Sequence, residues 1–145
     1  MVKTEDGFFS KWERVIKSQS EKEFADRMTG VLQALQTVRV PAICEETAIH
    51  DAIGEALTAA GIHYKHEFRV QGGKRFDFWV RGVVIEVKKG MPPKLALLNQ
   101  LKRYASVAAV SGVIIVSQKV IKVPGSLNGK PIVSVSLNKN WGVAF

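Results

Sequence analysis

Phe76-Asp77-Phe78-Trp79-Val80-Arg81-Gly82-Val83-Val84-Ile85-Glu86-Val87-Lys88 is the stretch on which the reading of this chain turns. Apolar residues recur at every second position on both sides of Arg81-Gly82, the pattern of two half-buried strands joined by a two-residue turn. Such a turn pairs Val80 with Val83 and carries the register outward until Asp77 lies opposite Glu86. Directly opposed residues hold their Cβ atoms about 4.5–5.5 Å apart. Two carboxylates at that spacing repel by about 1 kcal/mol in water and by more when partly buried. A hard divalent cation relieves that repulsion, and Mg²⁺ is held through one or two carboxylates while keeping waters for exchange. Lys88, two residues after Glu86, falls on the same face about 6.6 Å further along the strand. The other face, Phe76, Phe78, Val80, Val83, Ile85 and Val87, is expected to meet the core as one apolar set. Trp79 and Val84 share the carboxylate face, which predicts that this side is partly covered as well.

Upstream of the hairpin, a helix from about Glu45 to Ala60 carries Ile49, Ile53 and Leu57 on one stripe and ends at Gly61. Phe68 and Val70 begin a strand period, and Gln71-Gly72-Gly73-Lys74 is a turn, so the hairpin belongs to a three-strand meander. Downstream, Pro92-Pro93 opens a helix through Leu97, Leu101, Tyr104 and Ala108. Gly112 to Val116 reads as a buried strand, and Ile132 to Leu137 as another after the turn Asn128-Gly129. Before all of these, Phe8, Phe9, Trp12, Val15 and Ile16 suggest a short helix. Phe24, Met28, Val31, Leu32 and Leu35 suggest a second one, capped by Ser20. The fold class is therefore α/β, a single domain over 1–145 with a mixed central sheet flanked by helices. It divides into an N-terminal helical extension (1–44), an αβββαβ core (45–118) and a C-terminal β tail (119–145).

With 145 residues, 46% hydrophobic and 23% charged, the composition is that of one folded domain and excludes a disordered chain. A single cysteine, Cys44, excludes an internal disulfide or a cysteine-based zinc site. The start of the chain lacks a secretory pattern and no apolar run is long enough to span a bilayer, so a cytoplasmic protein without membrane association is expected. Twenty-one Lys and Arg against 13 Asp and Glu leave a net charge of +8, which makes a polyanion the natural partner.

Asp77, followed after eight residues by Glu86-Val87-Lys88 within Val84-Ile85-Glu86-Val87-Lys88-Lys89-Gly90, resembles the metal-binding core of the PD-(D/E)XK nuclease superfamily. The αβββαβ order is that of the family's common core, a restriction-endonuclease-like fold. Gln100-Leu101-Lys102-Arg103-Tyr104 resembles the Q-h-x-x-Y signature of RecB-like members, and on a helix Gln100 and Tyr104 face the same way. Phe76 stands where the family's namesake proline would be, a variation that affects the backbone more than the chemistry. The resemblance covers roughly residues 45–118.

It implies that Asp77, Glu86 and the Val87 carbonyl hold Mg²⁺, with Mn²⁺ able to substitute, and that Lys88 positions the attacking water. One further ligand comes from the first core helix in such enzymes. Glu46 ranks first, one turn before His50 on the same edge of the apolar stripe. His50 is close behind, since a histidine often occupies this helix in RecB-like members. Glu55 projects away from the stripe.

The function expected is divalent-metal-dependent hydrolysis of DNA phosphodiester bonds, with endonuclease favoured over exonuclease. Gln100 and Tyr104 would hold the site or the DNA backbone, and Lys74, Lys89, Lys94, Lys102 and Arg103 would contact phosphates. A homo-oligomer that pairs active sites suits so small a domain. The alternative is a non-catalytic nucleic-acid-binding or assembly module on the same fold. Other signals are set aside. Gly125-Ser126-Leu127-Asn128-Gly129-Lys130 reads as a turn rather than a phosphate loop. His63 and His66 read as solvated, and Trp12 and Trp141 as packing residues.

Overall fold

The computed structural model describes residues 2–70 and 73–137, with side chains undescribed at 2–13 and 16. Trp12, Trp141 and the first half of the Gln71-Gly72-Gly73-Lys74 turn thus lie outside what can be compared. Three helices, α1 (Val2–Gln36), α2 (Glu46–Ala59) and α3 (Lys94–Ala105), flank one mixed sheet. Its strands are β1 (Lys65–Arg69), β2 (Arg75–Val80), β3 (Val83–Lys88), β4 (Gly112–Ser117), β5 (Ser126–Leu127) and β6 (Lys130–Ser136). The spatial order is β1-β2-β3-β4-β6-β5. β1, β2 and β3 run antiparallel in sequence, β4 and β6 extend the sheet in parallel, and β5 returns against β6.

The hairpin turn is the one the sequence dictates. Arg81 and Gly82 both take positive φ, 42° and 98°, which matches the twist of the flanking strands. Val80 pairs with Val83, Trp79 with Val84 and Phe78 with Ile85. At the far end of the chain, Asn128 and Gly129 make a second turn with φ of 52° and 74°, so the glycine-containing stretch before Lys130 is a hairpin corner.

Each face of the sheet has its own core. On one, Phe78, Val80, Val83, Ile85 and Val87 pack with the α2 stripe of Ile49, Ile53 and Leu57 and with Met28, Val31 and Leu35 of α1. On the other, Val84, Val113, Ile115 and Ile132 pack with Leu97, Leu101 and Tyr104 of α3. Both strand faces are therefore covered, as the apolar β4 sequence requires.

Three expectations are corrected. The N-terminal pair of helices is one continuous α1, with Ser20 inside it. Neither glycine nor proline stands between Val15 and Phe24 to interrupt the helix. α3 stops at Ala105 rather than running to Ala108, where the Ser106 hydroxyl donates back to the Arg103 carbonyl at 2.6 Å and ends the repeat.

Phe76, third, leaves the apolar set assigned to it and packs on the α3 side. The cause is local. Phe68 pairs with Phe76 and His66 with Phe78, while Glu67, between Phe68 and His66, adopts φ 53°. Both strands change face there, so Phe68 and Phe76 turn towards α3 and His66 and Phe78 towards α2.

Candidate functional site

The change of face puts Asp77 at the seam between the two cores. Its Oδ2 accepts the Val87 N–H at 2.8 Å, so a carboxylate stands in for a strand carbonyl just where β2 leaves the ladder. That bond fixes Asp77 against the segment carrying Glu86 and Lys88. α2 reaches the same point from the other side. Its N-terminal turn offers Glu46 and, one turn on, His50, whose Nε2 lies 3.4 Å from Glu46 Oε1 and 3.9 Å from Asp77 Oδ2. Glu46, His50 and Asp77 each present a ligand atom within 4.8 Å of the others. The two residues that competed for the upstream position are therefore both brought to Asp77, while Glu55 is not part of the group.

Glu86 approaches the site from the α3 side. Its Oε2 accepts from Gln100 Nε2 at 3.1 Å and from Lys88 Nζ at 3.4 Å. Gln100 also donates to the Tyr104 hydroxyl at 2.9 Å, which leans 3.4 Å from the Arg75 carbonyl. Glu86 Oε1 is buried and has no hydrogen-bond partner among the described residues. A buried carboxylate oxygen without a partner costs several kcal/mol when ionised, roughly the upper end for an unsatisfied polar group. Burial, with the Asp77 charge adding to it, pushes the Glu86 carboxyl up to about 7 despite Lys88. Burial likewise raises the Tyr104 hydroxyl, helped by Glu86, so it stays a neutral hydrogen-bonding group.

These donors suit a divalent cation. Carboxylate oxygens and one imidazole nitrogen form a hard to borderline set. The free Glu86 oxygen is the kind of group such an ion would satisfy. Val87 is tied in through its amide.

Among the residues expected to meet phosphate, Lys102 and Arg103 are exposed in the last turn of α3, away from its buried stripe. Lys89 is exposed 4.0 Å from Glu45. Lys94 opens α3 and lines a separate apolar cavity of about 650 Å³ between that helix and the segment 120–124. None of the candidate metal ligands lines that cavity. Lys74 is half-buried, and its carbonyl closes the β1–β2 connection by accepting from Val70.

One residue escapes sequence reasoning. His66 is exposed, as expected of a solvated histidine, but its Nε2 also lies 2.8 Å from Nδ1 of His50, a contact the sequence did not predict. Its ring stacks on Phe78 at a centroid distance of 4.6 Å. The signal was the register: once β1 is paired with β2, His66 stands opposite Phe78, next to Asp77.

A scan against models of known protein families, a search of curated proteins and a search of solved structures each found no match to this chain.

Proposed function

We propose that the protein is a metal-dependent phosphodiester hydrolase acting on DNA. The observation that carries this reading is the meeting of Glu46, His50 and Asp77 from two elements beside Glu86, whose buried oxygen lacks a partner, and Lys88. Structural ion pairs need no such convergence of like charges.

Glu46, His50, Asp77 and Glu86 would hold Mg²⁺ or Mn²⁺. Once bound, the ion supplies Lewis acidity towards a phosphate oxygen and makes water acidic enough to attack. Lys88 Nζ, 3.4 Å from Glu86 Oε2, orients that water and stabilises charge developing on the phosphate. Gln100, hydrogen-bonded to both Glu86 and Tyr104, keeps the Glu86 carboxylate turned into the site. The net charge of +8 favours a nucleic acid over a small phosphodiester. The chain order α2-β1-β2-β3-α3-β4, with acids on β2 and β3 and Lys88 ending β3, supports a restriction-endonuclease-like fold of the PD-(D/E)XK kind.

The test is cleavage of supercoiled plasmid, linear duplex and single-stranded DNA with Mg²⁺, Mn²⁺ or EDTA, for wild type and Lys88→Ala. Cleavage with metal, lost in EDTA and reduced at least 100-fold by the substitution, is expected. A folded wild-type protein that binds DNA without cutting any of these substrates would instead be the binding module.

A further inference from the structure

We infer that His66 is a positioning residue that sets which nitrogen of His50 carries the proton, and so whether His50 can ligate a cation. The inference rests on the site reading above.

A neutral imidazole has one N–H and one lone pair, and the hydrogen bond at one nitrogen decides the state of the other. His50 Nδ1 and His66 Nε2 are 2.8 Å apart, so exactly one proton lies between them when both rings are neutral. If His66 supplies it, His50 carries its own proton on Nε2 and donates towards Glu46 and Asp77, 3.4 and 3.9 Å away. If His50 supplies it, the Nε2 lone pair faces those carboxylates. Two anions and a lone pair directed at one point are tolerated only around a cation. Metal-free protein therefore favours the first arrangement and metal-bound protein the second. Each ring keeps one proton throughout, and the hydrogen bond between the rings is retained with its direction reversed.

His66 is built to play either part. It is fixed by stacking on Phe78, which is only 1% exposed, and by strand pairing with the same residue. The two histidine rings sit at 58° with centroids 5.0 Å apart, an edge-directed approach rather than a stack. A histidine beyond a ligand, presenting either a donor or an acceptor, is the outer partner that such ligands usually find in a carboxylate or carbonyl.

The experiment measures Mn²⁺ affinity calorimetrically on the full chain for wild type, Asp77→Asn, His66→Phe and His66→Gln. Phenylalanine keeps the stacking and removes the nitrogen, whereas glutamine can donate or accept. Wild type should bind one Mn²⁺ that Asp77→Asn abolishes. His66→Phe should weaken it 10- to 100-fold, and His66→Gln should restore affinity to within a few-fold. Nitrogen-15 spectra of the imidazoles, taken with Mg²⁺, should show the His50 proton moving from Nε2 to Nδ1 in wild type.

Equal Mn²⁺ affinity in wild type and His66→Phe would overturn the role of His66 while leaving the metal site standing. Equal loss in His66→Phe and His66→Gln would also overturn it, since only shape would then matter. No Mn²⁺ binding by wild type would overturn both the site reading and this inference. His66 is exposed, and circular dichroism of the variants checks that the fold is retained.

Discussion

Glu86 concentrates the tension of the site in one side chain. It is buried, faces Asp77, and keeps one oxygen without a partner. Its carboxyl is raised to about 7 in the folded chain, well above the ordinary glutamate value. Between that ordinary value and about 7, the folded protein holds a proton that the unfolded chain has released. Metal-free stability must therefore fall as pH rises through this window, and stay low above it. In EDTA, the melting temperature of wild type should drop from pH 5 to pH 8. Glu86→Gln should remove most of that slope and raise the pH 8 value by roughly 3–6 °C, while abolishing Mn²⁺ binding. A wild-type melting temperature that rises over this range would contradict the assignment. Asp77, Glu86 and Lys88 were legible as one cluster because the two-residue turn brings their strands together, but the β2–β3 ladder ends at Phe78–Ile85 and Asp77 is held by the Val87 amide. The contact of His66 was not legible, because its partner is sixteen residues away on a helix and only the β1 register brings them together.

The β2–β3 hairpin is the element on which the site is built, and its turn is the most stringent local requirement in the chain. Gly82 has φ 98°, and a Cβ placed there would meet the Ser111 hydroxyl at 3.0 Å. Gly82→Ala is therefore expected to cost about 1–2 kcal/mol, measurable as a lower urea midpoint with unchanged slope. An unaltered midpoint would show that the turn relaxes freely. The turn was legible because Arg-Gly between alternating apolar runs leaves few backbone solutions. The change of face at Asp77 was not. Counting by twos assumes a regular pleat, and the departure depends on the Asp77 carboxylate taking the Val87 amide and on Glu67 adopting φ 53°. Helix α1 failed for the opposite reason. Its weakly apolar middle looked like a break, but a polar stretch lacking glycine and proline has no reason to leave the helix.

For the whole molecule, a mixed sheet flanked by helices follows from the alternation of strands and amphipathic helices and was legible in outline, whereas the strand order came only from the structure. Charge adds a test at the same scale. Lys102 and Arg103 project from the exposed side of α3. If both contact phosphates of duplex DNA, their joint replacement by alanine should reduce the slope of log affinity against log salt by about 2. The same change should leave Mn²⁺ affinity unaltered, since both side chains point away from the buried stripe of α3. An unchanged slope would move the nucleic-acid surface elsewhere.

The sheet also ends in a way that bears on how copies of this chain tolerate one another. β1 is its outermost strand on one side, and β5, of two residues, closes the other. An exposed strand margin is a template for fibril growth, and proteins blunt it with charged side chains and local twists. β1 carries Lys65, Glu67 and Arg69, and its middle residue departs from extended geometry. The departure at Glu67, next to the point where the strands change face, therefore also makes this margin a poor template for stacking further copies.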